Sequence, residues 1–137
     1  MKEKEELLEL YKKTKYIIPE LEIQIGIDKL NSSIDKELAK TKKLSWAFIS
    51  PFNPFSKEVS DEENEQYFER LKEQVSTNYA KYFIGYGQGQ EGWKDEKSIL
   101  IIGISETQAT KLGQQFGQNA IVIGSAGETA KLKWVQE

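Results

Sequence analysis

Ser98-Ile99-Leu100-Ile101-Ile102-Gly103-Ile104 decides the fold. Its four successive branched apolar residues leave no polar face, so as a strand it must be covered on both sides and sit centrally in a sheet. The flanking chain supplies the cover. Residues 44–50 and 79–87 read as strands, and between them Ser60-Asp61-Glu62-Glu63 reads as a capping box opening a helix to about residue 77. Tyr67, Phe68, Leu71 and Val75 form that helix's inner stripe. Downstream, Ser105-Glu106-Thr107-Gln108 is a second capping box, with Ala109, Leu112 and Phe116 inward and Gly117 suited to the left-handed position that ends a helix. Residues 120–123 form the next strand. From 44 to 123 the order is therefore strand-helix-strand-strand-helix-strand, the split βαβ or ferredoxin-like order, and the fold class is α+β. Right-handed crossovers place the strand from Ser98 centrally.

This core carries additions at both ends. Residues 3–14 read as a helix with Leu7, Leu8 and Tyr11 at helical spacing, and residues 16–25 as one strand whose Pro19 marks an edge. Asp28 is placed to cap a second helix to about residue 40, with Leu30, Ile34 and Leu38 recurring every four residues. Gly124-Ser125-Ala126-Gly127 is a turn, and residues 131–136 a last strand in hairpin with the one before. The reading is a single domain over 1–137, with its core at 44–123 and an N-terminal extension at 1–43.

Composition narrows the function. With 137 residues, 38% hydrophobic and 30% charged, the chain can bury roughly two-thirds of its unfolded surface without a metal or disulfide staple. There is no cysteine, which fits a reducing compartment, and the start (Met1-Lys2-Glu3-Lys4-Glu5-Glu6) is too charged for a signal peptide, so the expected location is cytoplasmic. No apolar run suits a membrane span. Nineteen basic residues against 22 acidic ones, a net of −3, argue against nucleic acid as a partner. Lys12-Lys13-Lys15 and Lys40-Lys42-Lys43 read as solvated faces. There is no histidine, so imidazole bases, Ser-His-Asp or Cys-His nucleophiles and imidazole metal ligands are all excluded. Neither a cofactor nor a resident metal is expected, and an ion site would have to be built of oxygen ligands.

Three polar, glycine- or proline-containing stretches stand at connections that the topology gathers at one edge of the sheet. The first runs from Ser50-Pro51-Phe52-Asn53-Pro54-Phe55-Ser56 to Ser60 and Asn64, with Asn53 biased by Pro54 towards extended backbone. The second is Gly85-Tyr86-Gly87-Gln88-Gly89, continuing to Trp93 and Glu96, and the third is Phe116-Gly117-Gln118-Asn119-Ala120. Asn64 takes the place where an apolar partner for Val59 would close a hydrophobic staple, so it either pins the Asn53 loop or faces a ligand beside Asn53. The alternating glycines leave one face bare, across which Trp93 can pack, but no helix follows to make a phosphate cradle. Glu96 is an ordinary ionised carboxylate capping the hairpin near Ser98, or an acid-base group if the edge excludes water.

The same stretches resemble a bacterial family of uncharacterised proteins, domain of unknown function 3293. The matching pieces are Ala47-Phe48-Ile49-Ser50-Pro51-Phe52-Asn53-Pro54, Ser60 with Glu63-Asn64, Gly85 with Gly87, Trp93 with Glu96 and Ser98, and Leu112-Gly113 with Phe116-Gly117-Gln118-Asn119-Ala120. The family pattern has an arginine one turn after the helix asparagine, where this chain has Tyr67, and a proline after the tryptophan, where it has Lys94. The resemblance supports the choice of residues and carries no activity with it.

The expected function is binding of a small polar molecule, nucleotide-like ligands included, by Asn53, Ser56, Asn64, Trp93, Glu96, Gln118 and Asn119. The alternatives are a protein-interaction module using the sheet edge and, third, an enzyme using Glu96 as acid or base. Open sheet edges make a homodimer a reasonable partner state.

Overall fold

The computed structural model describes residues 4–89 and 94–136. Four helices accompany one antiparallel sheet of seven strands. In chain order the elements are α1 (Lys4–Lys13), β1 (Lys15–Ile18), β2 (Ile23–Ile25), α2 (Ser32–Thr41), β3 (Ser45–Ile49), α3 (Asp61–Asn78), β4 (Lys81–Gln88), β5 (Glu96–Ile102), α4 (Glu106–Gln115), β6 (Ala120–Ser125) and β7 (Lys131–Trp134). The sheet order is β2-β1-β4-β5-β3-β6-β7. β5 lies at the middle, as its two-sided apolar character requires, with Ile99, Leu100, Ile101 and Ile102 opposite Ile49, Phe48, Ala47 and Trp46 of β3.

The alternation of β5 divides the interior in two. Ile99 and Ile101 face α3 and α4, where Phe68, Leu71, Val75, Ala109, Leu112 and Phe116 complete a buried cluster. Leu100 and Ile102 face the other way, into a second cluster with Tyr16, Ile18, Phe48 and Phe83 and with Ile34 and Leu38 of α2. The sheet curls around this second cluster until its two ends meet. Ile27 bridges Ala130; the Asp28 N–H donates to Ala130 O at 2.8 Å, and the Ala130 N–H to Lys29 O at 2.9 Å. Residues that follow β2 are thereby clasped to the residue that precedes β7.

Helix ends follow their caps. Ser105 Oγ accepts the Gln108 N–H and Gln108 Oε1 accepts the Ser105 N–H, both at 3.1 Å, completing the reciprocal box. At Ser60 only half of the expected box forms: Ser60 Oγ accepts the Glu63 N–H at 3.1 Å, but the Glu63 carboxylate takes the Ser60 hydroxyl at 3.3 Å instead of the backbone amide. Gly117 has φ +66°, as a helix-ending glycine should.

Four further expectations are corrected. The strand expected over 16–25 is a hairpin, β1 and β2, joined by a 3-10 turn at Pro19–Leu21 with Glu22 left-handed at φ 54°. Proline has no N–H for a ladder, and β1 is paired on both sides, so the strand must stop before Pro19. The second helix is capped by Asn31, whose Oδ1 accepts the Ile34 N–H at 3.0 Å, and not by Asp28. Asp28, held at φ 65° by the clasp to Ala130, has no helix to start, and Leu30 is left exposed. Asn53 is left-handed, φ 47°, against the extended bias set by Pro54, because its side chain is anchored to the chain ahead. The bare face at Gly85 is filled: a side chain there would run into the Ile17 carbonyl oxygen and the Phe48 ring.

Candidate functional site

The three polar connections do meet. Ser50, one residue past β3, donates through its hydroxyl to Lys97 O at 3.0 Å, which brings the loop after β3 to the start of β5. The loop is then pinned from two directions. Asn64, buried in the first turns of α3, accepts the Asn53 N–H at 2.9 Å and donates to Asn53 Oδ1 at 3.0 Å. Asn53 Oδ1 also accepts the Val59 N–H at 3.2 Å. From the α4–β6 junction, Gln118 Nε2 donates to the carbonyls of Phe52 and Phe116, both at 3.1 Å, and Gly117 O accepts the Phe55 N–H at 2.6 Å. Gly117 is required here, since a Cβ would stand 2.8 Å from Pro54 Cβ.

These bonds sort the expected residues by what they have left to offer. Asn64 and Gln118 spend their carboxamides on the loop, so both scaffold it. Ser60 is spent on its helix. Asn119 donates to the exposed Ser56 hydroxyl at 2.8 Å and, at 3.4 Å, to the Tyr11 hydroxyl. The remaining amide group of Asn53, Nδ2, reaches Glu96 Oε2 only at 3.5 Å. Trp93 lies outside the described residues.

Glu96 is the centre of what remains. Its neighbour across the ladder is Gly87, and the next neighbour across is Tyr16. Gly87 carries no side chain between them, so the phenol and the carboxyl approach over a bare position. Loss of surrounding water pushes the Glu96 carboxyl above the ordinary carboxylate range, with the Asn53 amide opposing. Burial likewise pushes the Tyr16 phenol up; the Thr14 hydroxyl opposes, and the charges of Tyr11 and Glu96 add to the rise. Tyr16 is therefore a neutral donor at physiological pH, and its hydroxyl donates to Tyr11 O. The expected hairpin cap is also revised. The Ser98 hydroxyl bonds Glu96 through the backbone carbonyl at 2.9 Å, leaving the carboxyl group to the cluster.

Tyr11, Thr14 and Tyr16 are the site residues that sequence reasoning missed. Tyr11 fits the apolar stripe of α1, and its bonds to Tyr16 and to Asn119 join residues that only the fold brings together. Among the described residues the arrangement offers hydroxyls, one carboxyl and two carboxamides, with no cation. Among the described residues no group of three acidic, His or Cys side chains is placed to hold a metal ion.

The family model for a protein of unknown function, DUF3293, matches residues 49–121, more than half of the chain. The chain belongs to the DUF3293 family. No curated protein and no solved structure matches it. The segment matched in DUF3293 runs from the last residue of β3 into β6 and contains Asn53, Ser56, Asn64, Glu96, Gln118 and Asn119. Tyr11 and Tyr16 come from outside it, so the DUF3293 segment supplies the pinned loop and the carboxyl while the N-terminal elements supply the phenols.

Proposed function

We propose that the cluster around Glu96 binds a small polar molecule. The observation that carries the reading is a carboxyl group partly drawn out of water, which among the described residues is met by Asn53 Nδ2 at 3.5 Å and faces Tyr16 across the bare Gly87. A ligand donating to that carboxyl would add a shorter hydrogen bond than the long Asn53 contact. The neutral donors and acceptors of the cluster suit an uncharged or cationic polar ligand, nucleoside-like compounds included, and disfavour an anion. The scaffold we assign to it is a ferredoxin-like core, supported by the order β4-β5-β3-β6 with α3 and α4 on one face, in a single cytoplasmic domain; pairing into a homodimer remains part of the proposal.

A thermal-shift screen of nucleosides, amides and amines tests the reading. Stabilisation by a compound in the set should disappear in Glu96→Gln and Asn119→Ala. Persistence of the full shift in both variants would sink it. The raised carboxyl pKa specifically favours one further reading, general acid-base catalysis by Glu96. Turnover abolished in Glu96→Gln while binding is kept would select that reading.

A further inference from the structure

On the side of the sheet covered by α3 and α4, a groove of about 560 Å³ runs between α3 and the end of α4, with Phe55 in its lining. That volume is in the range of small-molecule sites. It contains Arg70, the single arginine of the chain. The guanidinium lies 5.9 Å from the centroid of the Tyr67 ring, and none of the ion pairs among the described residues includes it. A guanidinium over an aromatic ring and outside any of these ion pairs keeps N–H donors available for a planar anion.

Phe55 is the second observation. The residue is 59% exposed and its backbone is left-handed, at φ 58° and ψ 28°, a region costly for a bulky residue. The conformation is imposed by the Phe55 N–H bond to Gly117 O and by the seat Gly117 provides: a Cβ there would stand 3.1 Å from the Phe55 ring. The loop thus holds an apolar ring in water on the wall of the groove that contains the arginine.

We propose that this groove binds small aromatic monocarboxylates, with Arg70 paired to the carboxylate and the rings of Phe55 and Tyr67 flanking the ligand's ring. Gln74 and Gln115, also on the lining, can add amide donors. Glu73 lines the same groove, so the local charge from Arg70 and Glu73 cancels. A monoanion that uses one guanidinium fork fits this balance better than a phosphate dianion. The site is separate from the Glu96 cluster and stands whether or not that cluster binds anything.

The test is a titration followed by amide NMR shifts at fixed ionic strength, with phenylacetate and 3-phenylpropionate as probes. Phenethylamine and benzyl phosphate serve as the contrasting head groups. Saturable shifts at Tyr67, Arg70, Gln74 and Gly117 are expected with the carboxylates and none with the amine. Arg70→Gln and Arg70→Lys should each weaken binding by about tenfold or more through loss of the bidentate pair. Lys111→Gln, which removes the same charge from the exposed side of α4, should leave binding unchanged. Arg70 is on the surface, so its variants should retain the dispersed spectrum of the wild type. The proposal is overturned by the absence of saturable shifts up to the order of tens of millimolar carboxylate. Equal affinity in Arg70→Gln, an equal response to phenethylamine, or tighter binding of benzyl phosphate would each overturn it as well.

Discussion

Asn64 grips Asn53 with both ends of its carboxamide, taking the backbone N–H at 2.9 Å and giving its own N–H to the side-chain oxygen at 3.0 Å. A left-handed asparagine before a proline is held in place by a buried partner eleven residues on. Replacing Asn64 with Ala leaves the Asn53 amide without its acceptor and should cost about 1–3 kcal/mol, read as a lowered urea midpoint at unchanged slope. Asn119→Ala, whose contacts are exposed or long, should cost far less. Equal losses in the two variants would show that the loop is not held as described.

The pH dependence of Glu96 has a definite sign. A carboxyl whose pKa is raised in the folded state binds more protons folded than unfolded, so its ionisation weakens the fold as pH rises. The penalty is absent well below the ordinary carboxyl range and is fully present once pH exceeds the raised value. Glu96→Gln should therefore gain melting temperature relative to wild type at neutral pH, and the difference should shrink on acidification to pH about 3. A difference that grows on acidification would mean that the carboxylate is stabilised in the fold.

Leu100 and Ile101 are fully buried on opposite faces of β5. Each change to Ala should cost about 2–5 kcal/mol, and amides 99–102 should be among the slowest to exchange. Fast exchange there would remove β5 from the centre.

Gly85→Ala should be destabilised far beyond Gly87→Ala. A methyl group at 85 collides with the Ile17 carbonyl and the Phe48 ring, whereas at 87 it would meet only Thr14 Cγ2, at 3.6 Å. Overpacking of this kind typically costs about 1–3 kcal/mol or more. Comparable melting temperatures for the two variants would contradict the close approach of β1 to β4.

What could be read before folding was what local chemistry controls. Four apolar residues with no wet face place β5, Ser105 with Gln108 starts α4, and Gly117 ends it. What could not be read depended on distant partners. Asp28 has the right side chain for a cap, yet Ala130 holds its amide elsewhere. Ser60 and Glu63 fit the box pattern, but the flexible carboxylate settles on the hydroxyl. Pro19 was legible as an exception to pairing, but not as a hairpin, because nothing local says that β1 is flanked on both sides. The site was half legible for the same reason. Asn53, Glu96 and Asn119 stand at connections that the topology gathers, while Tyr11 fits an apolar helical stripe that hides its hydroxyl and Tyr16 is placed by the pairing of β1 with β4.

The clasp between Ile27 and Ala130 joins positions about a hundred residues apart, one on each side of the segment matched in DUF3293. Contacts of such separation are slow to form, because the intervening chain must lose its freedom before they contribute. During synthesis the β1–β2 hairpin emerges long before its partner at Ala130 and must wait with backbone groups unpaired. A fragment trimmed to the matched segment would lose both halves of the clasp, together with β1 and all but one residue of β3, and expose the flanks of β4 and β5 to other chains. Solubility of this protein should therefore depend on residues that the family pattern does not contain.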